Sequence, residues 1–231
     1  MKIGVLADIH ANLPALQATL SAARTAGVER LLIAGDLVGY YYWPAECFDL
    51  LAGWPHDMVV GNHEEMLRAV VDDVSALPPI RLRYGSGINV ARETLGARIA
   101  PLLARPSTTR LTIDGREVLL CHGSPSDTDQ YVYPDAPESV RREMAVTGAE
   151  FVFFGHTHYP VQWQTGYTVV ANPGSVGQPR DRRPGAQWLL WDTTAATMVH
   201  RREPYDIDRV VRECAARDPG NPYLAAVLTR S

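Results

Sequence analysis

Five short apolar runs in this chain each stop at a cluster of polar residues, and that pattern limits the fold more than any other feature of the sequence. The runs are KIGVLA (2–7), RLLIA (30–34), DMVV (57–60), EVLLC (117–121) and EFVFF (150–154). They are rich in branched residues and apolar almost throughout, which suits strands covered on both faces. The residues that follow are Asp8-Ile9-His10, Gly35-Asp36, Gly61-Asn62-His63-Glu64, His122-Gly123 and Gly155-His156-Thr157-His158. In open α/β sheets the loops beyond the carboxyl ends of the strands converge on one crevice, so all five clusters are expected to meet there. Five of the seven histidines lie in these clusters, whereas His56 and His200 fall outside and read as surface or strand-edge residues.

Helical patterns separate most of the runs. The stretch 12–27 opens with Asn12 as a candidate N-cap and Pro14 in the first turn, carries Leu13, Leu16, Leu20 and Ala23 on one stripe, and ends at Gly27. Further helices are expected at 44–52, 63–74, 87–104, 137–147 and 206–217, an alternation typical of layered α/β folds. The C-terminal third reads differently, with YTVVA, QWLLWD and TMVHRR as strands on short connections that favour antiparallel pairing. Within TRLTIDGREVLLC, Asp114-Gly115 is a hairpin signal between two strands. No repeat or linker divides the chain, and 231 residues with 46% hydrophobic content can fill a core, so a single domain over residues 1–231 is expected.

The formal net charge of −4 provides no bulk attraction for nucleic acid or anionic lipid. Any phosphate bound here must be held locally. Cys47, Cys121 and Cys214 form neither a zinc-type pair nor a disulfide framework, and Cys121 reads as a buried strand residue. No apolar run approaches the ~20 residues that span a bilayer. A cytoplasmic protein without a membrane partner is expected, and oligomeric state is left open.

Pooled, the clusters offer two aspartates, one asparagine and five imidazoles. Oxygen and nitrogen donors of this kind suit Mn, Fe, Zn, Co or Ni, and there are too many for one ion. Seven side chains with one shared carboxylate suffice for two ions ~3.5–4 Å apart, an arrangement that clamps the attacking and leaving oxygens of a phosphoryl displacement.

The ordered series DxH, GD, GNHE, H and GHTH, with ADIHANLPAL at the start and NPGSVGQPR after the last pair, resembles the calcineurin-like metallophosphoesterase superfamily, in particular its compact bacterial phosphodiesterases. The resemblance covers residues 2–180. It implies an α/β fold in which a two-sheet β-sandwich is flanked by helices in four layers. It also implies two divalent transition metals, manganese first among them, with Asp8, His10, Asp36 and His158 at one and Asp36, Asn62, His122 and His156 at the other. By the same resemblance a metal-bridging hydroxide attacks phosphorus in line and His63 protonates the leaving oxygen. The substrate implied is a nucleotide or another small phosphodiester. Monoesters, phosphoproteins and dinucleoside polyphosphates are the alternatives within the superfamily, and a non-catalytic scaffold like one retromer subunit is the alternative outside catalysis. Val60, Glu65 and Met66 stand where phosphoprotein phosphatases carry basic residues, which disfavours that class. The intact ligand set with His63 disfavours the scaffold.

Four features have two readings each. Glu64 either orients a neighbour or opens the helix at 63–74. Tyr41, with Tyr42 and Trp43, either stacks on a nucleobase at the mouth of the site or packs into the core. Arg180, in the run with Arg182 and Arg183, either reaches substrate phosphate or belongs to a solvated loop. The segment 123–137, irregular and directly after His122, reads as a wall or lid.

Overall fold

The computed structural model describes residues 1–230, which form two mixed five-stranded sheets packed face to face with helices outside. The first sheet opens with β1 (Lys2–Leu6), followed by helix α1 (Leu13–Ala26), β2 (Arg30–Ile33), α2 (Pro44–Ala52) and β3 (His56–Met58). These three strands are parallel. Helix α1 has the expected ends, since Asn12 Oδ1 accepts from Ala15 N at 3.3 Å and Gly27 closes it in the left-handed conformation.

A helical layer follows, made of α3 (Asn62–Asp72), α4 (Leu77–Tyr84), α5 (Gly87–Thr94) and α6 (Ile99–Leu103). The single helix expected over 87–104 is broken, because the chain turns through a left-handed residue at Gly96, φ 55°. Helix α4 was not signalled by the sequence. Its Pro78 and Pro79 look like breakers, yet they lie in the first turn, where the missing N–H groups would have had no helical partner.

The second sheet comprises β4 (Thr108–Ile113), β5 (Arg116–Cys121), then after α7 (Glu138–Ala145) β6 (Phe151–Phe153), β7 (Pro160–Thr165) and β8 (Thr168–Pro173), in the order β4-β5-β6-β8-β7. The Asp114-Gly115 turn joins β4 to β5 with positive φ at both residues, as the hairpin signal requires. Strand β7, which starts at a proline on the sheet edge, was unforeseen. Strand β8 is antiparallel to β7 but parallel to β6, so the C-terminal strands are less uniformly antiparallel than expected. Strands β9 (Ala186–Asp192) and β10 (Thr197–Glu203) return to the first sheet, where β9 lies antiparallel against β1. The C-terminal helices are α8 (Ile207–Arg217) and the unforeseen α9 (Tyr223–Thr229). Among the described residues, no helix is long and apolar enough to cross a membrane.

The interior between the sheets explains the apolar runs. Ile3, Val5, Leu32, Leu189 and Trp191 of the first sheet meet Val118, Leu120, Phe153 and Ala171 of the second in one buried cluster. Helices cover the outer faces, so the strands are apolar on both sides. His56 and His200 lie on the edge strands β3 and β10, as read from the sequence.

Phe153 is fully buried with its ring 5.4 Å from that of Trp191. Phe153→Ala should therefore lower the unfolding free energy by about 3–5 kcal/mol in urea titration, the range for deleting a buried aromatic. A loss below about 1 kcal/mol would show that the sheets close over the gap.

Candidate active site

The carboxyl ends of β1, β2 and β3 in one sheet and of β5 and β6 in the other face a common crevice, and the five polar clusters meet in it. Asp8, His10, Asp36, His63, His122, His156 and His158 are each at most 3% exposed. Imidazoles and carboxylates this deeply buried are costly unless they are paired or hold an ion.

Local backbone geometry aims them. Asp8, His10, Asp36, His156 and His158 all have φ between 50° and 69°, a left-handed conformation that side-chain-bearing residues rarely adopt. Hydrogen bonds between the loops after β1 and β2 hold this conformation, from His10 N to Asp36 O (2.9 Å), Ala11 N to Leu37 O (2.7 Å) and Tyr41 N to His10 O (3.2 Å). The crossing stretch 172–178 braces the same place. Ser175 Oγ donates to Asp8 O at 2.7 Å, and Asn172 Nδ2 donates to Gly155 O at 2.6 Å.

Three histidines are oriented by one device. His10, His122 and His158 each bring Nδ1 to a backbone oxygen, at Val38 (2.9 Å), Ala34 (2.7 Å) and Gln178 (2.6 Å). Those carbonyls can only accept, which assigns the proton to Nδ1 and leaves the Nε2 lone pair facing the crevice. The Nε2 atoms of His10 and His158 then lie 3.1 Å apart. On the other side, Asn62 Oδ1 is 3.0 Å from His122 Nε2 and 3.1 Å from His156 Nδ1, and these two nitrogens are 3.2 Å apart. Acceptor atoms facing one another at such distances repel unless a proton or a cation lies among them.

Asp36 stands between the two groups. Its Oδ1 accepts from His63 N at 2.9 Å. Its Oδ2 lies 3.6 Å from His10 Nε2 and 3.4 Å from His122 Nε2. Asp8 Oδ1 is 3.6 Å from His158 Nε2, and Asp8 Oδ2 is buried without a hydrogen-bond partner. The sets Asp8/His10/His158 and Asp8/Asp36/His122 are each close enough to hold a metal ion, and His10/Asp36/His63 also falls within that range. Buried donors of this type, with an orphaned carboxylate oxygen, fit divalent transition metals.

Protonation of the side chains follows the same layout. Burial pushes the Asp8 carboxyl up to about 8 and holds His10 and His158 well below the ordinary imidazole value. Burial lowers His63 and His156 to about 4. His122 goes the other way. Burial opposes its charge, yet Asp36 beside it raises it to about 10, so a proton fills the place a cation would take. Asp36 is held well below the usual range, burial being outweighed by His122 and His63.

Glu64 does both: it orients the turn that carries Asp36 and caps the start of α3. Fully buried, it accepts from Asp36 N (2.8 Å) and Gly61 N (2.8 Å) through Oε2 and from Val38 N (3.1 Å) through Oε1. It therefore staples the turn that carries Asp36 to the start of α3. Gly61 leaves the room for this, since a Cβ there would collide with Asp36 Oδ1.

Tyr41 does not line the site. Its ring is fully buried and its hydroxyl donates to Leu224 O at 3.1 Å, so it is a core residue, and Tyr42 and Trp43 are buried with it. The residue that reaches the histidines is Tyr40, which no sequence signal marked; its ring centroid is 4.5 Å from that of His10 and 4.7 Å from that of His63. Tyr84 also reaches His63, at 5.2 Å. Arg180 lies at the crevice, where its guanidinium donates to Tyr40 Oη at 3.1 Å, while Arg182 and Arg183 are exposed. Cys121 is a buried strand residue, as expected. The segment 123–137 does wall the site, with the Tyr131 ring 4.0 Å from that of His156 and Asp129 Oδ1 3.6 Å from His156 Nε2.

A two-sheet sandwich with paired Asp/His donor groups at its strand ends defines a metal-dependent phosphoester hydrolase. The calcineurin-like phosphoesterase superfamily domain matches residues 1–196, and this chain belongs to that superfamily. It is 28% identical over 226 residues to MJ0912, an uncharacterized protein of Methanocaldococcus jannaschii, covering 90% of this chain and 89% of the relative. It is 25% identical over 193 residues to phosphodiesterase YfcE of Escherichia coli, covering 82% and 87%. A metallophosphoesterase from Sphaerobacter thermophilus superimposes with a TM-score of 0.79 at 26% identity, covering 98% of this chain and 99% of that one.

Glu64→Ala would strand three buried backbone N–H groups, each worth about 1–3 kcal/mol when left without a partner. Urea unfolding of the metal-free protein should show a loss of at least about 2 kcal/mol. A loss under about 1 kcal/mol would mean that those groups find other acceptors.

Proposed function

We propose that this protein is a phosphodiesterase that hydrolyses a nucleotide or another small phosphodiester with two divalent transition metals. The observation that carries the reading is the meeting of two imidazole-containing donor groups at one carboxylate oxygen, Asp36 Oδ2. Asp8, His10, Asp36 and His158 would hold one ion, and Asp36, Asn62, His122 and His156 the other. So much imidazole disfavours magnesium and suits manganese, our assignment, or iron, cobalt, nickel or zinc. When bound, the pair supplies Lewis-acid stabilisation of the phosphoryl oxygens and a nucleophile at neutral pH. The phosphodiesterase name of the Escherichia coli relative supports the substrate class. We place the protein in the cytoplasm, as one domain over residues 1–231.

The chain's own residues do the rest. Arg180 is a cation beside the donors, and its buried Nε has no partner among the described residues, so it is assigned to bind a non-bridging phosphate oxygen. His63 sits beside both groups with Nδ1 unpartnered, over Gly39, where a Cβ would collide with its ring. It is assigned to protonate the leaving oxygen. Burial alone disfavours the imidazolium, but a phosphoester anion bound next to the ring favours it.

Stripped of metal by a chelator, the protein should hydrolyse no bis-p-nitrophenyl phosphate, and Mn²⁺ or Ni²⁺ should restore activity where Mg²⁺ alone does not. Undiminished turnover in excess chelator after dialysis would sink the reading.

His63→Ala should keep two metals by elemental analysis and lose roughly 10²–10⁴-fold in rate on an alkyl or ribosyl ester, whose leaving oxygen needs a proton. The p-nitrophenyl ester should lose far less. Equal losses on both, with metals retained, would make His63 a phosphate-positioning group; loss of one metal would make it a ligand.

A further inference from the structure

The wall of the crevice formed by residues 123–137 has its own internal order. Ser124 N donates to Asp127 O at 2.8 Å, Asp127 N to Ser124 Oγ at 3.0 Å and Asp129 N to Asp127 Oδ1 at 2.9 Å. Val132 anchors it, 1% exposed among Cys121, Met144 and Phe154. Its neighbours point the other way. Tyr131 and Tyr133 stand 46% and 42% exposed, their rings within 20° of parallel and 5.8 Å apart between centroids. Neither ring fills the core, yet the loop holds Tyr131 against the candidate metal donor His156. Rings this close leave no room between them for a third, so the pair makes one platform and not a clamp.

Across the crevice the surface is aromatic too, with Tyr40 and Tyr84 against His63. Arg180 stands in the same crevice, its guanidinium donating to Tyr40 Oη at 3.1 Å. Tyr131 has His156 against one side and Tyr133 stacked on the other, so a planar group would extend the stack on the outer side of Tyr133 and carry its phosphate past Tyr131 toward the donor atoms.

We propose that Tyr131 and Tyr133 form a stacking subsite for a planar group carried by the phosphoester, which makes the substrate of this site a nucleotide. The inference rests on the phosphodiesterase reading for the reaction, but it is tested by binding. Metal-loaded protein is titrated calorimetrically with adenosine 5′-monophosphate and with glycerol 3-phosphate, which share a phosphomonoester and differ in the base. The nucleotide should bind at least roughly 10-fold more tightly, the usual worth of one stacked base. In Tyr131→Leu/Tyr133→Leu the ratio should fall to within about threefold, and Tyr131→Trp should preserve it. Equal affinities in the wild type, no detectable binding of the nucleotide, or an unchanged ratio in the double leucine variant would each overturn the subsite. Failure of the wild type to hydrolyse any phosphodiester would overturn the reaction class and leave these ratios readable.

Discussion

Two buried carboxylates, Asp36 and Glu64, hold the turn after β2 from opposite sides, and the site depends on that pair. Glu64 takes up the N–H groups of Asp36, Val38 and Gly61, and Asp36 takes up that of His63. Buried together, like charges repel, and burial together with Asp36 pushes Glu64 up to about 7. Asp8 adds a third buried carboxyl. Among the described residues, Arg180, Arg105 near Glu64 and a His122 whose charge Asp36 favours stand against them. Divalent cations would balance this charge with less proton uptake, so the same groups that destabilise the side chains alone would form the drive for metal binding.

Backbone strain is the second cost carried by the site. Five of the polar residues at the crevice have left-handed backbone, at about 1–3 kcal/mol each for residues other than glycine. The conformation persists because the surroundings over-determine it. The loop after β1 is laddered to the loop after β2, Ser175 pins it at Asp8 O, and Asn172 pins the loop after β6 at Gly155 O. His122 Nδ1 donates across to Ala34 O, which links the ends of the two sheets, while Gly155 N donates to His122 O within the second sheet. Sandwich and site are therefore one construction: the strands bring the loops together, and the loops fasten the sheets at one end.

Much of this was legible in the sequence for a physical reason. Strands buried on both faces must be apolar throughout, so polar residues collect where a strand leaves the core, and five such exits could be read directly. The pairing of strands within the second sheet was not readable that way, because residue type does not say that β8 runs parallel to β6 and antiparallel to β7. Edge strand β7 and helices α4 and α9 were missed since short elements rest on tertiary packing more than on their own periodicity. Glu64 carried two readings, and its three backbone partners satisfy both, Gly61 N as the cap of α3 and the N–H groups of Asp36 and Val38 as the oriented turn.

The aromatics after Asp36 show where residue type stops being informative. Tyr40, Tyr41 and Tyr42 are chemically identical, and a pattern argument treats them alike. Tyr40 has φ 46°, which turns its ring against His10 and His63 while Tyr41 continues inward to Leu224 and Gln178. That left-handed residue follows Gly39, which lies under the His63 ring with no room for a Cβ. The constraint is set by a contact 24 residues further along the chain, between Gly39 and His63. Local sequence could place an aromatic group near the site, but only the packing of His63 onto Gly39 selects which tyrosine faces it.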